Sequence, residues 1–195
     1  MSTRKDKFSK KEKKYMSLAL SLASARHGLT GENPSVGCVI VKNDEIISIG
    51  QTGYNGRPHA EYNAIRNCNV ALEGSTMYIT LEPCNHYGQT PPCTKEIIKN
   101  KINKIIYSVD DIDKKVKGKS FKILKLKNLI VKKGLLYKEI INFYKPYFFN
   151  RKNKIPYVTG KIAVSKNNLI YSKGTKKITD IHSDKLTHFL RYKND

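Results

Sequence analysis

Apolar residues recur at two different spacings along the chain. Between residues 15 and 27 they recur every three or four positions, which predicts an amphipathic helix that ends at Gly28. Two runs rich in β-branched residues follow at 35–42 and 45–50, and the Asn43-Asp44 pair between them predicts a β-hairpin. The chain therefore begins with a helix packed on a core, followed by the first two strands of a sheet.

Helical and extended patterns alternate over the rest of the chain. Strands are predicted at 76–81, 104–109 and 129–133, and helices at 59–69, 92–100, 121–126 and 135–149. This alternation predicts an α/β fold in which helices cover a sheet on both faces.

Positive charge is spread over the whole sequence. The 195 residues include 37 Lys and Arg against 16 Asp and Glu, a formal net charge of +21. Because the lysines do not form a stripe, they indicate solvated faces, and nucleic acid is not expected as a partner. Residues 1–14 are predicted to form a basic N-terminal arm. The same positive field would favour an anionic small-molecule substrate.

The N-terminus allows a second interpretation. Lysines precede MSLALSLASA, which is similar to the apolar core and cleavage site of a secretory signal. Serines interrupt the run, and its helical spacing favours a packed first helix instead. Four cysteines are too few for a disulfide scaffold. No stretch approaches the roughly 18 apolar residues of a membrane span, so a cytoplasmic location without membrane contact is expected.

Two cysteines, Cys84 and Cys93, frame the segment NHYGQTPP. Together with His59 they form a set of three ligands of the kind that zinc takes, and three protein ligands with an open fourth position are typical of catalytic zinc. A structural zinc site would need a fourth ligand, which His86 or Cys68 would supply, so this alternative stays open.

Glu61 favours the catalytic alternative. Zinc lowers the pKa of a bound water toward about 7, and a carboxylate two residues from a ligand can take and return the proton. His-x-Glu followed by Pro-Cys belongs to the signature of zinc nucleobase deaminases, in which the Glu is not a ligand. The second cysteine of that signature usually follows after two residues, whereas a longer insert separates Cys84 from Cys93 here.

This insert resembles the deaminase domain of the bifunctional riboflavin-biosynthesis deaminase/reductase family. NPSVGCVIV at 33–41, GRPHAEYNAI at 56–65 and YITLEPCNHYGQTPPCTKEII at 78–98 also resemble its motifs. The resemblance implies a three-layer α/β/α cytidine-deaminase-like sandwich with a mixed sheet. It also implies hydrolysis of 2,5-diamino-6-(5-phosphoribosylamino)pyrimidin-4(3H)-one to 5-amino-6-(5-phosphoribosylamino)uracil and ammonia.

The resemblance assigns the chemistry to four residues. It implies that one Zn²⁺ per chain is bound by His59, Cys84 and Cys93. Glu61 would be the catalytic residue that transfers the proton.

Four further positions would contact the substrate. Asn33 is similar to the asparagine that contacts the pyrimidine, and His86 lies in the insert that meets the ribose phosphate. Thr52 occupies a position where some members carry a histidine. Gln89 stands where Lys or Arg is usual, so the insert loses a positive charge, for which Arg57 or a neighbouring lysine would compensate.

Residues 151–195 resemble the opening of the family's reductase domain, a dihydrofolate-reductase-like fold that uses NADPH. The matching positions are Ala163 and Lys177 for the cofactor and Thr175 and Arg191 for the substrate. Because about 45 residues are too few for such a domain, we expect no reductase activity and no functional NADPH site. The segment is expected to be partly disordered or an incomplete unit with exposed strand edges. The expected division is an arm at 1–14, a deaminase domain at 15–150 and a truncated reductase segment at 151–195.

Other functions stay open on the sequence alone. A nucleic-acid or free-nucleobase deaminase would share the zinc and Glu61, although it normally has the short Cys-x-x-Cys. A non-catalytic zinc module is a third alternative. The expected partner is the phosphorylated ribosylaminopyrimidine, and a homo-oligomer stays open.

Overall fold

A mixed five-stranded sheet organises the part of the chain that the computed structural model describes, which is residues 8–88, 90–170 and 178–192. The strands are β1 (Gly37–Lys42), β2 (Glu45–Gln51), β3 (Thr76–Leu81), β4 (Lys104–Val109) and β5 (Ile130–Lys133). The helices in these residues are α1 (Lys10–Arg26), α2 (Ala60–Arg66), α3 (Cys93–Lys99), α4 (Lys119–Leu126), α5 (Tyr137–Phe143), α6 (Lys145–Asn153) and α7 (Ile181–Tyr192). No described helix is both long and apolar enough to span a membrane.

The sheet combines antiparallel and parallel strands in the order β2-β1-β3-β4-β5. β1 runs antiparallel to β2 and β3, whereas β3, β4 and β5 are parallel. Asn43 and Asp44 have φ angles of 51° and 65°, the left-handed conformation that a two-residue hairpin turn requires. The predicted hairpin is therefore confirmed.

Two glycines allow helices to approach the sheet closely. A Cβ atom on Gly37 would collide with the Ala19 carbonyl of α1, and one on Gly50 would collide with the Ala60 carbonyl of α2. Gly50 pairs with Cys38, the residue after Gly37, and successive residues of a strand point to opposite faces. α1 and α2 therefore cover opposite faces of the sheet.

The remaining helices complete the two layers. Tyr144 is the residue that follows α5, and its hydroxyl oxygen lies 2.6 Å from Thr80 Oγ1. Thr80 Oγ1 also accepts the N–H of Gly37 at 3.1 Å. α5 therefore lies on the same face as α1. On the other face, α3 contacts both α2 and α4. The three-layer α/β/α fold with a mixed sheet is confirmed.

α1 begins earlier than its apolar spacing predicts. Ser9 Oγ accepts the Glu12 N–H at 3.1 Å, and the Glu12 carboxylate accepts the Ser9 N–H at 2.8 Å. This capping box satisfies two N–H groups at the start of the helix. Residues 10–14, which were expected in the basic arm, are therefore helical, while residues 1–7 lie outside the described part of the chain.

The single helix predicted at 135–149 is wrong, because the structure has α5 and α6 in its place. Leu136 has a left-handed φ of 52°, so the first helix starts only at Tyr137. The second begins after Tyr144, because Pro146 lacks an N–H and its ring crowds the preceding turn.

The segment after α6 is mostly exposed. Its described residues contain no strand, so the expected strand edges are absent there, and apolar side chains are instead exposed on α7. These side chains are Ile181, Leu186, Phe189, Leu190 and Tyr192. Ala163 is half-buried in a stretch that is neither helix nor strand, and Arg191 is exposed on α7, whereas Thr175 and Lys177 lie outside the described residues.

Candidate zinc and substrate site

Three elements bring His59, Cys84 and Cys93 together. His59 is the N-cap of α2, Cys84 lies in the loop after β3, and Cys93 is the first residue of α3. Their ligand atoms all lie within 4.8 Å of one another. The starts of two helices and the end of a strand therefore converge on one point.

The geometry of these atoms fits a zinc ion. His59 Nδ1 lies 3.3 Å from Cys93 Sγ and 3.5 Å from Cys84 Sγ. Tetrahedral zinc with ordinary bond lengths separates such ligand atoms by about 3.5–3.8 Å. Neither His86 nor Cys68 belongs to the metal-sized group that the described residues form. The structural-zinc alternative therefore lacks its fourth ligand among these residues, while a catalytic site would keep that position open.

The protonation of the two cysteines differs. Hydrogen bonding to Cys93 lowers the pKa of the Cys84 thiol to about 4 despite its burial, so Cys84 is ionised at neutral pH. The same contact, together with burial, raises the pKa of Cys93. Burial lowers the pKa of His59, but its hydrogen bond with Cys84 and the charge of Glu61 raise it by more. Zinc binding would release protons here, because the metal takes thiolates and neutral imidazole.

Glu61 lies beside these ligands in the first turn of α2, with 4% of its surface exposed. Burial raises the pKa of its carboxyl group, while the charge of His59 and a hydrogen bond with Cys93 oppose this rise. A buried carboxyl group at this place can hold a proton and release it during a reaction.

A cavity of about 110 Å³ extends from Glu61 and from two of the candidate ligands, His59 and Cys84. Asn33 and His86, two of the four predicted substrate-binding residues, line it. The Asn33 side chain packs against Gly56, where φ is 84° and a Cβ atom would collide with the Asn33 amide. Glycine at position 56 therefore lets the loop before α2 press against Asn33.

The prediction that Thr52 contacts the substrate is not supported by its position. Thr52 is 2% exposed, and its hydroxyl oxygen accepts the Val36 N–H at 2.8 Å. The same hydroxyl donates to the Pro34 carbonyl at 3.2 Å. Thr52 therefore holds the backbone that follows Asn33 and does not line the cavity. Gln89, the fourth predicted residue, lies outside the described part of the chain.

The sequence reasoning missed the role of Glu82. This carboxylate is 3% exposed and accepts N–H groups from Asp111, Gly118 and Ser120 at 3.4, 2.9 and 3.2 Å. It therefore fixes the loop between β4 and α4 beside the cavity. The Glu-Pro pair before Cys84 was the only sequence signal for this role.

The cavity also includes Arg57, two residues before His59, and residues from distant segments. The distant residues are Asp111, Asp113, Tyr147 and Arg151. Arg151 lies in α6, at the start of the segment whose sequence resembles a reductase. No local motif marks the four distant residues, because only the fold brings them to the cavity.

Comparison with known proteins relates the chain to deaminases. Residues 9–109, just over half of the chain, match the cytidine and deoxycytidylate deaminase zinc-binding region. Over 142 residues the chain is 42% identical to the diaminohydroxyphosphoribosylamino-pyrimidine deaminase of Buchnera aphidicola subsp. Acyrthosiphon pisum. That match covers 73% of this chain and 97% of the Buchnera protein.

Longer relatives extend beyond the chain. It is 36% identical over 182 residues to the riboflavin biosynthesis protein RibD of Aquifex aeolicus, covering 92% of this chain and 51% of that protein. A solved structure of Acinetobacter baumannii RibD aligns with a TM-score of 0.82 and 33% identity, covering 94% of this chain and 52% of RibD. The chain thus spans about half the length of these RibD proteins. Because it covers nearly all of the Buchnera enzyme and carries the zinc-binding region, the chain belongs to the diaminohydroxyphosphoribosylaminopyrimidine deaminase family.

Proposed function

We propose that the chain is a zinc-dependent hydrolytic deaminase of a phosphorylated ribosylaminopyrimidine. The substrate would be 2,5-diamino-6-(5-phosphoribosylamino)pyrimidin-4(3H)-one, and the products 5-amino-6-(5-phosphoribosylamino)uracil and ammonia. The observation that carries this proposal is the buried Glu61 carboxyl group, which lies beside the candidate ligands His59, Cys84 and Cys93 and lines a cavity together with His59 and Cys84. The name of the Buchnera relative supports the substrate.

His59, Cys84 and Cys93 would hold the metal in this mechanism. Zinc, when bound, supplies a Lewis acid that makes a water molecule easier to deprotonate. Glu61 takes a proton from the water that attacks the amine-bearing ring carbon. Glu61 then returns this proton to the departing amine, so that the carbon–nitrogen bond breaks and ammonia leaves.

The other cavity residues would orient the ring for this attack. The Asn33 amide offers both a donor and an acceptor to a pyrimidine edge. Its loop is held by the hydrogen bond from Thr30 Oγ1 to the Asn33 carbonyl at 2.7 Å. A fixed amide restricts how the ring enters, which lowers the entropic cost of reaching the reactive geometry.

Ammonia release from the diaminopyrimidinone ribosylamino phosphate tests the proposal, with bound zinc measured in the same sample. We expect release with about one zinc per chain. Zinc without release would contradict the assigned reaction, and absence of zinc would contradict the metal site. Release from cytidine or dCMP but not from the diaminopyrimidinone would favour the nucleobase-deaminase alternative.

A further inference from the structure

The wall of the candidate cavity carries charges of both signs. Its cations are Arg57 and Arg151, and its carboxyl groups belong to Glu61, Glu82, Asp111 and Asp113. A phosphate monoester carries about two negative charges near neutral pH. The carboxyl groups repel such a ligand, so a phosphate in this cavity has to lie beside an arginine.

Arg151 already contacts neighbouring residues of the protein. Its Nη2 donates to the Glu32 carbonyl at 2.8 Å, and its guanidinium lies 5.6 Å from the centre of the Tyr147 ring. These two contacts hold the Arg151 guanidinium at the Glu32 backbone and the Tyr147 ring.

Arg57 lies at a different part of the wall. Among the described residues neither arginine has a carboxylate within ion-pair distance. The Arg57 side chain donates one hydrogen bond, from Nη1 to Thr90 Oγ1 at 2.8 Å. A Cβ atom on Gly88 would lie 3.2 Å from Arg57 Nη2, so the guanidinium lies against the backbone of the insert between Cys84 and Cys93.

The insert itself, NHYGQTPP, contains no Lys or Arg. Lys95 reaches the insert at Tyr87, where its Nζ donates to the phenol oxygen at 2.8 Å, but Lys95 does not line the cavity. In the part of the chain that the structure describes, Arg57 is therefore the cation at the insert on its cavity side.

His86 provides a second sign that this wall of the cavity is a binding site. Its ring lines the same cavity, and its Nδ1 is buried without a hydrogen-bond partner in the described structure. Buried polar atoms of this kind are normally paired with protein, water or a ligand.

We propose that Arg57 binds the 5′-phosphate of the substrate, an inference that rests on the deaminase function proposed above. The guanidinium presents N–H groups in a planar fork that matches phosphate oxygens, and the Thr90 hydrogen bond fixes its orientation. Arg57 thereby determines the preference for a phosphorylated substrate over the same compound without phosphate.

Steady-state kinetics of Arg57→Gln test this assignment. Because hydrogen bonds to charged groups are the strong ones, we expect KM for the phosphorylated substrate to rise about 10- to 100-fold, with kcat little changed. KM for the dephosphorylated compound is expected to stay at the wild-type value. Arg57→Lys, which keeps the charge, is expected to restore part of the affinity.

A matched variant separates phosphate binding from a general effect of charge. Lys95→Gln removes a charge from the outer side of the insert, away from the cavity. It is expected to change KM by less than about 3-fold, because solvent and salt screen exposed charges. The proposal is overturned if Arg57→Gln weakens both substrates equally, or if Lys95→Gln has the same effect.

If the wild-type protein releases no ammonia, the deaminase function is contradicted. The role of Arg57 in phosphate binding can then still be tested by a direct binding measurement. Isothermal titration calorimetry with ribose 5-phosphate compares wild type and Arg57→Gln directly. Weaker binding by the variant supports the phosphate site, whereas equal dissociation constants overturn it.

Discussion

At the scale of single residues, the positions of a few protons determine what the candidate site can do. Cys84 is ionised at neutral pH while Cys93 keeps its proton, and burial raises the pKa of the Glu61 carboxyl group. Zinc has to displace the proton of Cys93, so metal binding weakens as the pH falls. Glu61 stays outside the ligand group and is available for proton transfer.

Replacing Glu61 by Gln separates metal binding from turnover. The amide keeps the shape of the side chain but cannot carry the proton, so kcat is expected to fall by about 10²- to 10⁴-fold. Zinc content is expected to stay at the wild-type level, because Glu61 is not one of the three ligands. Ammonia release and metal analysis on one preparation check both. Wild-type turnover in the variant would show that Glu61 does not transfer the proton.

Serine substitutions of Cys84 and Cys68 test the metal site, with Cys68 as the control. Cys84→Ser removes a candidate ligand, so both zinc content and ammonia release are expected to be lost. Cys68→Ser changes a half-buried thiol outside the ligand group and is expected to keep about one zinc per chain. Inductively coupled plasma mass spectrometry measures both, and equal zinc contents would contradict the assigned ligand set.

At the scale of elements, the alternation of strands and helices was predictable because each has a strong local period. The limits of some helices were not. The lysines at 10–14 concealed the first turn of α1, which depends on the capping box of Ser9 and Glu12. Pro146 interrupts an apolar pattern that otherwise predicts one continuous helix, so its effect on the backbone outweighs the spacing.

Glu12 links the start of α1 to β4, and this contact depends on pH. Burial raises the pKa of Glu12, but hydrogen bonds from Lys104, at 2.8 Å, and from Ser9 outweigh it, so the pKa is lowered from 4.5. Ionised Glu12 therefore stabilises the fold above pH 4.5, and this stability is lost as the pH falls through the lower folded-state pKa. Glu12→Gln is expected to lower the free energy of unfolding by about 0.5–1 kcal/mol at pH 7.

Urea unfolding at several pH values measures this difference. The curves of wild type and Glu12→Gln are expected to converge well below pH 4.5, where Glu12 is protonated in both states. Asp44→Asn serves as the control, because the Lys11–Asp44 pair at 2.8 Å is exposed on both sides. Asp44→Asn is expected to change the free energy of unfolding by less than about 0.5 kcal/mol relative to wild type. A difference for Glu12→Gln that does not depend on pH would contradict the ion-pair explanation.

At the scale of the whole molecule, the candidate site combines residues that are far apart in sequence. His59, Glu61 and Cys84 were predictable because they belong to two short motifs with a chemical purpose. Arg57 lies two residues before His59 and was expected to compensate for Gln89, whereas Arg151 reaches the same cavity only through the packing of α6. The sequence could therefore indicate the chemistry of the site and one of its cations, but not Arg151, Asp111 or Asp113.

α6 connects the core to the cavity. It begins directly after the buried residue Tyr144, and it carries two residues that line the cavity. Tyr144 is 1% exposed, and its hydroxyl donates to the Ser35 carbonyl at 2.9 Å and contacts Thr80. Tyr147 and Arg151 of α6 line the cavity. The described residues beyond α6 do not line it and are mostly exposed. We therefore expect the part of the chain that the site needs to end just after α6.

Two shortened chains test this boundary. Residues 1–158 retain α6 with its hydrogen bond from Asn150 to Ile155 and its ring contact between Phe149 and Tyr157. This chain is expected to keep wild-type zinc content, ammonia release and melting temperature. Residues 1–143 lose Tyr144, and removal of such a buried aromatic side chain costs about 3–5 kcal/mol, so this chain is expected to unfold or to lose most of its thermal stability. If the longer fragment were inactive although folded and zinc-loaded, the segment after α6 would be needed for the reaction, and the cavity described here would be incomplete.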